Sequence, residues 1–99
     1  MVAIDELKVE LGRIIQANIP TIKLIRIEAT EGSDSDGQQS LWIKAIIRTR
    51  PLEPREMAQK SNAVVDQLRT WMTKYGDERF PYFDFLTEQD EKEIREAGE

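Results

Sequence analysis

The chain has 99 residues, with 14 lysines and arginines against 19 aspartates and glutamates and a formal charge of -5, which fits one domain spanning residues 1–99. It contains no cysteine and no histidine, so disulfide frameworks, Cys/His zinc sites, thiol nucleophiles and Ser-His or Cys-His triads are excluded. The opening residues include Asp5, Glu6 and Glu10 and do not read as a secretory signal, and no apolar run approaches the ~20 residues of a membrane span, so a cytoplasmic protein is expected.

Ile4, Leu7, Leu11, Ile14 and Ile15 recur at three- and four-residue spacing and predict a helix from Ile4 to about Ala17. Asn18 and Ile19-Pro20 supply its stop, because the residue before proline is pushed out of helical geometry. From Ile22 to Thr30 the β-branched content predicts a strand, with Ile25, Ile27 and Ala29 facing inward and Arg26 and Glu28 outward. Leu41, Ile43, Ala45 and Ile47 alternate with Trp42, Lys44, Ile46 and Arg48 in a second strand. The turn-forming stretch Glu31 to Ser40 predicts an antiparallel hairpin with a long mobile loop.

Pro54 suits the first position of a long helix whose stripe runs through Met57, Ser61, Val64, Val65, Leu68, Trp71 or Met72 and Tyr75, with Gly76 as its left-handed cap. Phe80 to Leu86 predicts a third strand, with Pro81 at its start or on an edge. Its aromatics are assigned to the core apart from Tyr82, which shares a face with Asp84 and Leu86. Thr87 then caps a final helix in the acidic segment 88–99, whose only apolar residues are Ile94 and Ala97 and which is expected to fray.

The fold class is therefore α+β: a two-layer sandwich of α-β-β-α-β-α order, in which two helices cover one face of a three-stranded sheet. The third strand can lie beside the second or across the first. This order of elements resembles that of the BolA and type II KH-like folds. No function is carried over from that resemblance, because the glycines never form the GxxG loop that KH domains place on nucleic-acid backbones, and the chain lacks the His and Cys that BolA-like proteins offer to an iron-sulfur partner.

Ser33-Asp-Ser-Asp-Gly37 resembles a fragment of a calcium loop, since alternate carboxylates before a glycine can curl around a hard cation. Alignment on Asp34, Asp36 and Gly37 leaves Gly32 and Ile43 where the terminal carboxylates belong, so no metal site is expected. Nothing in the spacing selects a catalytic carboxylate pair. Lys60 and Ser61 are helix neighbours pointing about 100° apart, and there is no phosphate-binding or dinucleotide loop. A non-catalytic protein without a cofactor or small-molecule ligand follows.

The outward hairpin face carries the functional expectation: Arg26, Trp42, Lys44, Ile46 and Arg48 form a cationic, partly apolar surface on an acidic chain. A Trp flanked by aliphatic and cationic residues suits a protein interface anchor, with Ile46 adding apolar area and the cations making rim contacts. The leading expectation is a small interaction or regulatory module, acting as a homodimer or as an inhibitor- or antitoxin-type partner of a larger protein. The alternative is a single-stranded RNA binder that stacks bases on Trp42 and meets phosphates with Lys44 and Arg48, although net negative charge opposes a polyanion. The acidic tail is expected to be solvated, with docking on a basic partner as the alternative.

Overall fold

The computed structural model describes residues 1–98; Glu99, the last residue of the acidic segment, lies outside them. The elements are α1 (Ile4–Asn18), β1 (Leu24–Ser33), β2 (Gln39–Ile47), α2 (Pro54–Lys74), β3 (Phe80–Thr87) and α3 (Glu88–Ala97). The strands lie in the order β1-β2-β3, with β1 antiparallel and β3 parallel to the central β2. This settles the choice left by the sequence: β3 returns beside β2.

The inner face of the sheet is apolar. Leu41, Ile43, Ala45 and Ile47 of β2 meet Leu7, Leu11, Ile14 and Ile15 of α1 and Val64, Leu68 and Met72 of α2, all essentially without solvent contact. Burial of such side chains stabilises each by about 1.5–3 kcal/mol relative to exposure. Asn18 ends α1 and also joins the helices, its Nδ2 donating to Ile14 O at 2.8 Å and to Gln67 Oε1 at 3.1 Å. Gly76 takes a φ of 72°, while the Gly76 and Asp77 amides donate to Thr73 and Met72 carbonyls and terminate α2. Only glycine adopts that backbone without strain.

Three expectations need correction. Ile25 is 40% exposed, and Leu24 takes the inward place, because a bulge between Leu24 and Arg26 shifts the register by one residue. An extra residue re-aims every side chain on one side of it, which alternation alone does not reveal. The hairpin loop is short, since pairing runs to Ser33 and Gln39 and the Asp34 carboxylate accepts from the Asp36 and Gln38 amides to close the turn. Phe80 and Tyr75, assigned to the core, are exposed.

The segment before α1 and the helix α3 are both tied down. At the N-terminus, Asp77 accepts from the Val2 amide, Arg79 donates to the Val2 carbonyl, and the two charged side chains pair at 2.5 Å with almost no exposure. At the C-terminus, Thr87 and Asp90 form a reciprocal capping box, and α3 contacts β3 and β2.

Candidate interaction surface

Register fixes which side chains share the outer face. Four cross-strand rows run from the hairpin end to the opposite end: Gly32, Ser40 and Phe80; Thr30, Trp42 and Tyr82; Glu28, Lys44 and Asp84; Arg26, Ile46 and Leu86. The sequence expectation of Arg26, Trp42, Lys44 and Ile46 on one face thus matches the strand register, while Arg48 lies just past the end of β2, with its amide donating to Lys23 O.

Ile46 is fully buried, in contrast to its expected contact role. The outer face at its row is roofed by α3, which sends Glu91 to Arg26 and Asp90 to Arg50. Ile46 and Leu86 therefore belong to a small second core, and Ile46 adds nothing to an open surface. The expected cationic character is lost as well. Arg26 is held by Glu91 and Glu28, and these hydrogen bonds raise its pKa above the ordinary value. Lys44 stands between Glu28 and Asp84 in register.

The other end of the face remains open and is aromatic. Trp42 and Tyr82 stack with centroids 4.5 Å apart and planes 12° apart, and Phe80 leans on Tyr82 at 4.7 Å. Their exposures are 43%, 36% and 38%. A 4.5 Å spacing matches the distance between neighbouring strands, so the two rings stand side by side across β2 and β3 with their faces turned to each other and their edges to solvent. The ladder is closed at the far end by Arg69 of α2, whose guanidinium lies 5.0 Å from the Phe80 centroid. At the near end the indole fills the space over Gly32, where a Cβ would come within 2.9 Å of Trp42 Nε1. Such a ring pair contributes about 0.5–1.5 kcal/mol beyond its buried area.

The ladder is bordered by carboxylates. Tyr82 donates its hydroxyl to Asp34 Oδ2 at 3.3 Å. Partial burial, then the charges of Asp34 and Asp36, push that hydroxyl above its ordinary pKa. Sequence reasoning found Trp42 and Tyr82 separately and missed Phe80. The available signal was strand parity, which places residues 80, 82 and 84 on one face.

No cluster of three or more metal-ligating side chains occurs among the described residues. Asp34, the first carboxylate of the calcium-like fragment, accepts at Oδ1 from two backbone amides and at Oδ2 from the Tyr82 hydroxyl. A depression of about 270 Å³ is lined by Met1, Glu31, Ser33, Gln39, Ser40 and Arg79. The guanidinium beside it is engaged by Asp77, Glu31 and the Val2 carbonyl, which makes it a structural group. Among the described residues, no helix is long and apolar enough to cross a membrane.

The chain is thus a small α+β protein with an open aromatic ladder on its sheet. Comparison with known proteins gave no matching family model, no matching curated protein and no matching solved structure.

Proposed function

We propose that the chain is a small, non-catalytic, cytoplasmic protein-interaction module, and that its contact surface is the aromatic end of the outer sheet face. The observation that carries this reading is the half-exposed Trp42–Tyr82 stack, extended by Phe80, on the side of the sheet away from the core. Clustered aromatics with exposed apolar area suit a partner's anchor pocket. Trp42 and Tyr82 are the anchors, Phe80 widens the apolar patch, and Lys44 lies on the rim. Arg26 is removed from the contact set by its pairing with Glu28 and Glu91, and Ile46 by its burial. The RNA alternative is weaker, because base stacking needs free ring faces and free cations. Here the stacked faces cover each other.

A photo-crosslinking residue at position 44 tests this surface in cells, with one at exposed position 70 of α2 as the control. The expected outcome is a discrete protein adduct from position 44 that Trp42→Ala abolishes, with none from position 70. Trp42→Ala should keep the fold, at a stability loss of about 1–2 kcal/mol. Equal adducts from both positions, none from position 44, or an unfolded Trp42→Ala chain would remove the assignment.

A further inference from the structure

The open end of the outer face combines an apolar centre with a border in which carboxylates outnumber the cations Lys44 and Arg69, and the two together specify an occupant. On the hairpin side of the ladder, Asp34 and Asp36 lie close enough to Tyr82 for both to raise its pKa, and Asp34 also accepts its hydroxyl hydrogen. On the other side, Asp84 and Glu28 occupy the adjoining row with Lys44 between them. Arg26, the next cation along, is committed to Glu28 and to Glu91 of α3. The chain as a whole carries a charge of -5.

Building on the interaction surface described above, we propose that the ladder docks a basic segment of another protein, with an apolar side chain over the Trp42 and Tyr82 ring edges and lysines or arginines meeting Asp34 and Asp36 at one side and Asp84 at the other. A second copy of the chain fits poorly, because a two-fold contact through this face would set its acidic border against itself, and like charges brought together at an interface oppose association. A nucleic acid would meet the same border with its phosphates. On an extended partner, side chains at i, i+2 and i+4 share one face, so cations at i and i+4 would flank an apolar anchor at i+2.

Trp71→Phe makes Trp42 the sole tryptophan, since the chain has 2, and its fluorescence then reports on the ladder. The probes are a 15-residue peptide repeating lysine at i and i+4 with leucine at i+2, the same peptide with glutamate for lysine, and a single-stranded oligouridylate of equal length. The expected result is a saturable change in Trp42 emission with the lysine peptide alone. Asp34→Asn combined with Asp84→Asn should weaken that binding about threefold to tenfold, as for partly exposed charge pairs. Glu93→Gln combined with Glu96→Gln, which removes the same charge from α3, should leave it within about 1.5-fold of the parent.

Equal weakening by both pairs of substitutions would reduce the effect to net charge and overturn the proposal. A response to the oligouridylate or the glutamate peptide would assign the surface to another class of ligand. A salt-resistant dimer in light scattering would assign it to a second copy. If no probe moves Trp42 while the position-44 adduct persists, the basic chemistry falls and the interaction surface stands. If the adduct is also absent, both fall.

Discussion

The segment before α1 and the helix α3 are fastened by ion pairs of similar residue types in opposite surroundings. At the N-terminus, Arg79 and Asp77 are buried, with side-chain exposures of 3% and 0%, and between them they hold both polar groups of the Val2 backbone. At the C-terminus, Arg26 and Arg50 meet Glu91 and Asp90 in the open, and no residue of α3 is buried. A buried pair must stay made, because either charge alone would be stranded without water. An exposed pair contributes little and can open. The N-terminal segment is therefore part of the core, whereas α3 is a cover over Ile46 of β2 and Leu86 of β3. This contrast places the more yielding part of the molecule at the end of the sheet face opposite the aromatic ladder, and the buried Asp77–Arg79 pair beside it.

The sharpest test is to remove one partner from each cluster. Arg79→Ala should cost about 3–5 kcal/mol in urea unfolding, the range for a buried charge left unpaired, whereas Arg26→Ala should move the global midpoint little. Equal losses would erase the distinction. Acid provides the next test. Burial alone would raise the Asp77 carboxyl, but the Arg79 guanidinium and the Arg79 and Val2 amides outweigh it and hold the pKa at about 2, below the ordinary 3.8. A depressed carboxylate contributes stability above its unfolded pKa and loses it as pH falls through the folded one. Urea midpoints should accordingly fall between pH 4 and pH 2, and Asp77→Asn, already weakened at neutral pH, should flatten that part of the decline.

Smaller effects belong to the cover. Thr87→Ala removes half of the capping box and should cost about 1 kcal/mol, seen as faster amide exchange in α3 with the Val2 amide unchanged. Smallest of all, raising salt to 1 M should loosen α3 in the same exchange measurement, because screening at that strength acts within about 3 Å, while the Asp77–Arg79 pair should not respond. Salt-sensitive exchange at Val2 would contradict the burial on which the comparison rests.

Much of the fold follows from local pattern. The three- and four-residue spacing through Ile14 and Ile15, Pro54 at a helix start, Gly76 at a helix end and Thr87 as a cap place the helices within a residue or two of where they lie. The bulge at Leu24 to Arg26 was hidden, since Leu24, Ile25 and Ile27 are all apolar and either register satisfies the pattern. The candidate surface was legible in part. Parity put Trp42 and Tyr82 on outward faces, but which strand neighbours β2 is a long-range choice, and the Trp42–Tyr82 stack exists only because β3 lies there.

By itself, the sequence determined the number, order and amphipathic faces of the elements, together with the chemistry that a chain without cysteine or histidine cannot perform, because these depend on residue type and short-range spacing. Tertiary structure alone decided that Ile46 is covered and Trp42 open, that Arg26 is spent on Glu28 and Glu91, and that three aromatics join into a ladder bordered by carboxylates. Those outcomes depend on which distant segments come together, and a charge or a ring acquires its role only from the neighbours that folding gives it.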